Sequence, residues 1–472
     1  MVLLLLLLLL LPPSPPLQGD PLLSRRRTGG EVDEAMASRS QCAKVSGEAG
    51  TTASPSAAGG GGGGAALPAD VLFEVLLRLG PKDVCRLRGV CRSWRALTTD
   101  ATFVTAHAAR HRGPLLAGGV LDFDAFPSVD VLLMDLSGSV VKRIRHAATH
   151  LVLPTTNLDL LCVTEVYTCR ATLLNPVTGA AVHLPEPLST PHSLRGRSLS
   201  DFDGSFKYGR DSNGDYKVLR VLTDCHNKQC PEQLFEILSL DESSRYHMRW
   251  RAKKALPMCV RRDAIGGVVI NGVVYFLLDG RPNGVKNAHR ESYEMDHMAL
   301  FDLCSERWIS YLEGPMATHP EMNNIDEILP EPLEMSVYQN LSLSELSGAL
   351  VVAQYTDYRS AEIKSYVDLW YLMDSEKQIW EKKYRIVLEM DTWDTEHIFP
   401  HAHPSLILDD GRILIYITVH LANFEGQYTR RVMRLYDPET DTLGSDLVDV
   451  KNIHSIGFFS GSLLSIQNGQ GL

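Results

Sequence analysis

Cysteine is scarce in this chain: nine among 472 residues, an odd number at irregular positions 42, 85, 91, 162, 169, 225, 230, 259 and 304. That pattern argues against a disulfide scaffold and for a reducing compartment, the cytoplasm or the nucleus. Long apolar runs are lacking too. Met1 to Leu11 gives eleven apolar residues, well below the roughly 20 that span a bilayer. A signal peptide would place a basic residue before the run and a small-x-small site after it. Here the run starts at the first residue and ends in Pro12, Pro13, Pro15 and Pro16, so it reads as a low-complexity extension, with Met36 as an alternative start.

Catalytic signatures are also missing. The chain has no Gly-x-Ser-x-Gly elbow, no His-Glu-x-x-His and no Walker segment. The six glycines Gly59 to Gly64 match a dinucleotide fingerprint only trivially, since neither a strand nor Gly-Lys-Ser/Thr accompanies them. His397, His401 and His403 cluster around Pro400, but a 4-then-2 spacing broken by proline suits neither helix nor strand, so an exposed loop at a blade entrance is expected there rather than a metal site. Cys225-His226 with Cys230 lacks a second Cys/His pair. Asp201, Asp203, Asp409 and Asp410 read as turn residues. No catalytic residue, metal or cofactor is expected.

Positive charge is short overall, at a net −11, and unevenly placed. Residues 1–66 are neutral, 67–112 carry a net +4, and the remaining 360 residues carry −15. An acidic body argues against a nucleic-acid groove, because polyanion binding draws on clustered Lys and Arg. Three segments follow from composition: a low-complexity, disordered tail and linker over 1–66, a short helical module over 67–112 and a β-rich body over 113–472.

The module opens at Leu67-Pro68-Ala69-Asp70, with proline at a first helical position and an acid in the first turn. Leu72, Val75, Leu76 and Leu79 form one apolar stripe. Gly80-Pro81 ends that helix, and Pro81 with Asp83 starts another whose stripe is Val84, Leu87, Val90, Cys91 and Trp94. Two or three short helices are expected. About 45 residues cannot shelter that many apolar groups, so the module should want a partner. The run from Leu67-Pro68 through Val90-Cys91 to Trp94-Arg95 closely resembles an F-box; Gly80 before the proline and Ala101 in place of a common Asp-Pro depart from the pattern. The resemblance implies binding to the Skp-type adaptor of a cullin-RING ubiquitin ligase through Leu67, Pro68, Leu72, Leu76, Val84, Leu87, Val90 and Trp94. The same leucines and Trp94 also serve as the core of a helical hairpin, and the module divides them between the two uses.

Past residue 112 the helical period gives way to short β runs punctuated by Asn271-Gly272, Ser347-Gly348 and Asp410-Gly411. A second element recurs: a β run ending in Asp or Asn, a polar turn, and a return strand opening on an apolar residue, as in Leu300-Phe-Asp-Leu-Cys-Ser-Glu-Arg-Trp. Five full units follow, 148–187, 200–258, 264–316, 335–390 and 403–450, and half-units at 131–144 and 453–466 join as a sixth. The expected fold class is α+β multidomain, a helical module followed by an all-β propeller, six blades with a non-covalent strap; seven blades or a pair of sandwiches remain open. The body resembles the F-box-associated and Kelch-like regions of plant F-box proteins, with Gly266-Gly267, Tyr275 and Trp308 as the Kelch-like signature. Trp250, Trp308, Trp370 and Trp380 read as blade core.

The resemblance implies the substrate-recognition subunit of an SCF-type ubiquitin ligase, itself non-catalytic, with an unknown protein as target. Loops 189–213, 279–297, 316–334 and 391–404 at one mouth of the ring are the expected recognition elements. The rival reading is a secreted or lumenal propeller enzyme or carbohydrate-binding protein, entered through Leu3 to Leu11. Retention of residues 1–35 and glycosylation at Asn340 in Asn340-Leu341-Ser342 separate the two.

Overall fold

In a computed structural model, the described residues are 68–111, 115–122, 128–146, 151–152, 157–158, 160–165, 169–176, 179–193, 198–226, 231–240, 248–282, 296–318, 338–357, 365–388, 401–423, 426–449 and 453–459. The 1–66 tail, Leu67, Cys230 and His397 lie outside them.

Four helices, not two or three, make the N-terminal module: α1 (Ala69–Leu77), α2 (Pro81–Leu87), α3 (Arg92–Thr99) and α4 (Ala101–Arg110). Pro68 sits one position earlier than expected, as the N-cap of α1, while Pro81 opens α2. The stripe running to Trp94 is cut after Leu87, and the extended Cys91 restarts the chain as α3. Helix α4 escaped periodicity because its large apolar residues are only Phe103 and Val104. It is capped by Asp100, whose carboxylate accepts the Thr102 amide at 2.9 Å. Phe103 is fully buried and meets Phe73 edge to face at 5.2 Å. His107 and His111 donate ring N–H groups to the carbonyls of Leu79 and Leu77, at 2.8 and 2.9 Å, tying α4 to the end of α1.

Among the described residues the body forms six sheets, antiparallel but for one short parallel pair. Strands β1 (Leu115–Asp122), β2 (Ser128–Met134) and β3 (Val140–His146) come first. Blade 1 contains β4 (Leu151–Val152), β6 (Leu161–Glu165), β7 (Ala171–Leu174) and β8 (Ala181–His183), with β5 (Asn157–Leu158) between β4 and β6 in sequence. After α5 (Thr190–Ser193), blade 2 is β9 (Phe202–Arg210), β10 (Tyr216–Asp224), β11 (Gln233–Leu240) and β12 (Arg251–Lys253). Blade 3 is β13 (Met258–Val260), β14 (Gly267–Ile270), β15 (Val273–Pro282), β16 (Met298–Asp302) and β17 (Arg307–Leu312), followed by α6 (Pro315–Thr318). Blade 4 is β18 (Tyr338–Leu346), β19 (Ala349–Asp357), β20 (Ser365–Asp374) and β21 (Ile379–Leu388). Blade 5 is β22 (His401–Ile407), β23 (Ile413–Asn423), β24 (Gly426–Asp437) and β25 (Thr442–Asp449), and β26 (Ile453–Phe459) ends the series.

Six apolar layers close the ring, one at each blade interface. Leu173 with Tyr208 joins blades 1 and 2, Phe235 with Phe276 blades 2 and 3, Leu277 with Trp370 blades 3 and 4, and Val351 with Ile415 blades 4 and 5. Met433 meets Phe458, and Leu133 meets Val163, on the two sides of the sheet that contains both chain ends. That closing sheet has the order β3-β2-β1-β26-β5, with Leu116 opposite Phe458, Gly118 opposite Ile456, and the short β5 added parallel to β26. The strap is therefore three strands plus one, not two hairpins. The unexpected strand is β1, whose Ala117-Gly118-Gly119 centre looks nothing like a β run in sequence. The hairpin expected at Ser460-Gly461 lies outside the described residues.

The recurring turn grammar has a physical cause. Asp302, Asp374 and Asp437 each accept backbone amides two or three residues ahead, at 2.9 to 3.1 Å. Glu306, Gln378 and Asp441 then take φ of 52° to 55° just before the return strand. Asn271-Gly272 and Ser347-Gly348 have positive φ at both positions, as two-residue hairpins require. Asp410-Gly411 belongs instead to a five-residue connection, 408–412, between β22 and β23.

Candidate functional site

The two ends of the ring differ. At one end most connections are short: 175–180, 211–215, Asn271-Gly272, 303–306, Ser347-Gly348, 375–378, 408–412 and 438–441, with 153–160 and 241–250 longer. At the other end, where the inner strands β9, β14, β18 and β22 begin, blades 1 to 5 are linked by the longer stretches 184–201, 254–266, 313–337 and 389–400. The described flanks of the four expected recognition loops lie at this second end, except 211–213, which belong to the β9–β10 turn at the first end. Of 189–213, α5 and β9 claim Thr190–Ser193 and Phe202–Arg210; residues 401–404 belong to β22, and 316–318 to α6. Residues 283–295, 319–334 and 391–400 lie outside the described residues.

A polar chain stitches the inner strands together at this mouth. Arg262 pairs with Asp203 of β9 at 2.9 Å. Arg261 contacts Asp263, the Leu341 carbonyl at 2.8 Å and the Asn340 side-chain oxygen at 3.2 Å. The Asn340 amide in turn donates to His401 of β22. Asp203 is thus a strand residue rather than a turn residue. His401 and His403 likewise lie on an inner strand rather than in an exposed loop, because Pro404 spends no needed donor there and His403 finds the Ser344 hydroxyl at 3.3 Å. Asn340, the sequon asparagine, is half-buried and engaged on both sides.

One level deeper, Lys207 donates to the Gly267 carbonyl at 2.7 Å. Burial pushes its pKa down to about 8 against the pull of Asp263, and burial with the Lys207 charge drives His403 to about 4, so the imidazole is neutral. A cavity of about 30 Å³ beside Val268, Ser344, His403 and Phe458 has room for a water or two, not for a substrate. Among the described residues no three His, Cys, Asp or Glu side chains converge as metal ligands. Cys225 donates to the Asp201 carbonyl at 3.0 Å, and His226 stands 3.6 Å from the Asp201 carboxylate. Trp250, Trp370 and Trp380 are buried and Trp308 is half-buried, all within blade layers.

On the helical module, the structure splits the expected contact set. Leu76, Val84 and Leu87 are buried in the module's own core, Leu72 and Trp94 pack half-buried against it, and Pro68 and Val90 are exposed. Val71, outside the sequence stripe, is 45% exposed and Val90 52%. Val71 stands four residues before Val75, at the edge of the α1 stripe. Exposed Arg86, Arg92 and Arg95 share the α2–α3 region with Val90.

Comparison with known proteins places this two-part architecture. Residues 153–445 match the F-box associated beta propeller domain, and residues 65–105 match the F-box-like family. The chain belongs to the F-box-associated β-propeller family. An Arabidopsis thaliana F-box/LRR-repeat/kelch-repeat protein is 27% identical over 213 residues, 45% of this chain and 54% of the relative. A second Arabidopsis thaliana F-box protein is 23% identical over 413 residues, covering 79% of this chain and 85% of the relative. A putative F-box/kelch-repeat protein from the same plant is 29% identical over 185 residues, 35% and 43% of the two chains. The chain thus spans about half the length of the first of these relatives. No helix among the described residues is long and apolar enough to cross a membrane.

Proposed function

We propose that this F-box propeller protein is the target-recognition subunit of an SCF-type ubiquitin ligase, acting in the cytoplasm or nucleus. Its helices dock on a Skp-type adaptor, and its propeller holds the target protein. The observation that carries the reading is the pair of exposed valines, Val71 and Val90, on a module whose core is already filled by Leu76, Val84, Leu87 and Phe103. Surplus apolar surface on so small a module calls for a partner. Exposed arginines around Val90 favour an acidic one. The chain contributes proximity, raising the local concentration of target lysines, while the bond-forming chemistry belongs to other subunits.

The test is co-purification with a Skp-type adaptor, comparing the unchanged chain with Val71→Asp/Val90→Asp. The double variant keeps its circular dichroism spectrum and loses adaptor binding by more than about tenfold, as removal of two central apolar contacts predicts. An unchanged chain that recovers no adaptor refutes the proposal.

A further inference from the structure

The body carries a net −15, yet one part of its outer wall is basic. Glu306, in the turn between β16 and β17, takes Lys253 at 2.6 Å, Lys217 at 3.1 Å and Arg251 on a single carboxylate. Ser239 ties Lys217 and Arg251 together, at 2.8 Å each. Burial alone would raise the Glu306 pKa, but the bonds from Arg251, Lys253 and Lys217 hold it at about 2. Asp211 adds a second carboxylate, 3.7 Å from Lys217. Arg249, Lys254 and Arg307 are exposed beside this network, and among the described residues none has a carboxylate partner. The network as a whole is cationic.

These residues sit on two neighbouring sheet edges. β12 is the outer strand of blade 2 and β17 the outer strand of blade 3. They are locked side by side by the Glu306 bridges and by the Trp308 indole, which donates to the Lys254 carbonyl at 2.8 Å. β17 also leaves Ile309 57% and Tyr311 41% exposed. An outer strand presents unpaired amides and carbonyls along its free side. Cations, free backbone groups and an exposed aromatic together fit one kind of occupant.

We propose that the wall formed by β12 and β17 around Glu306 is a docking surface for an extended acidic segment of a protein partner, one that carries an apolar side chain for Ile309 and Tyr311. Edge amides pair with a peptide backbone, which a nucleic acid lacks. The acidic remainder of the body repels a long polyphosphate but leaves a short acidic segment free to meet the patch. This inference does not rest on adaptor binding.

The test uses the full chain and a fluorescein-labelled peptide that alternates Glu and Thr around a central Leu, with its Gln-for-Glu counterpart as control. Fluorescence anisotropy at low and high salt reads the binding. The Glu peptide is expected to bind more than about tenfold tighter than the Gln peptide, with the gap shrinking in salt. Arg249→Glu/Lys254→Glu/Arg307→Glu removes only exposed cations; it keeps the melting temperature and adaptor recovery of the unchanged chain and weakens the Glu peptide by more than about tenfold. Equal affinity for the two peptides, unchanged binding in the triple variant, or a single-stranded RNA that binds tighter than the Glu peptide at the same residues overturns the proposal.

Discussion

Glu236 on β11 is fully buried and accepts four different donors: Arg220 Nε at 2.7 Å, the Ser189 amide at 2.9 Å, the Ser189 hydroxyl at 2.5 Å and His192 Nδ1 at 2.6 Å. Arg220, also fully buried, stacks 4.1 Å over Trp250 and reaches the Pro187 carbonyl at 2.9 Å. This cluster ties the link between blades 1 and 2 onto β10 and β11. Glu236→Gln keeps the volume and removes the charge, stranding a buried guanidinium; the cost is about 3–5 kcal/mol. Arg220→Met added to it removes the stranded charge, so the double variant is expected to recover about 1–3 kcal/mol relative to Glu236→Gln. Urea unfolding at pH 7 measures both, and hydrogen exchange at 187–192 reports the link directly. The acid limb gives an independent check. Burial pushes the Glu236 carboxyl up, but His192, the Arg220 charge and Ser189 hold it down at about 2, against an ordinary 4.5. A depressed carboxyl stabilises fully above 4.5 and loses that contribution as pH falls towards 2, so Glu236→Gln should flatten the stability profile across that window. Additive single and double changes, or a cost below about 1 kcal/mol, would refute the charged cluster.

Gly267→Ala places a Cβ 2.8 Å from Lys207 Cε and 3.0 Å from both the Phe276 ring and the Tyr275 carbonyl; the crowding costs about 1–3 kcal/mol in a thermal melt. His107 is pushed down by burial, with the Leu79 carbonyl opposing and the His111 and Arg88 charges adding. A depressed imidazole is stabilising when neutral, so the module should loosen as pH falls below 6.5, and His107→Gln should abolish that dependence as read by tryptophan fluorescence. Truncation before Ile453 removes buried Ile456, Phe458 and Phe459 and opens the β1 edge. Light scattering should then show aggregation, and a monodisperse truncated chain with an unchanged melt would contradict the closure.

The blades were legible because their punctuation is local chemistry. An aspartate that folds back on its own amides and a left-handed residue before the return strand operate within six residues, so a reader of sequence sees them directly. The five expected units coincide with the sheets spanning 151–183, 202–253, 258–312, 338–388 and 401–449. What escaped notice was set by distant partners. β1 is a strand because β2 and β26 flank it, and its Gly118-Gly119 pair carries no β signal of its own. His403 is buried because Ser344, some sixty residues away, supplies its hydrogen bond.

The helical module shows the same division where it matters for function. A period of 3.6 identifies two apolar stripes, Leu72-Val75-Leu76-Leu79 and Val84-Leu87-Val90-Cys91-Trp94, and only the F-box resemblance gathers Leu72, Leu76, Val84, Leu87, Val90 and Trp94 into one contact set. The period does not reveal which of those faces α4 covers. Phe103, with His107 and His111 fastened to the last carbonyls of α1, turns Leu76 and Leu77 inward and leaves Val71 outside. Leu76 and Val90 therefore answer different questions. Leu76→Asp buries a carboxylate among the apolar side chains of the Leu77, Val84, Leu87 and Phe103 cluster and unfolds the module, so lost adaptor binding would follow from any fold-dependent contact. Val90→Asp leaves that core intact, and lost binding there reports the contact itself.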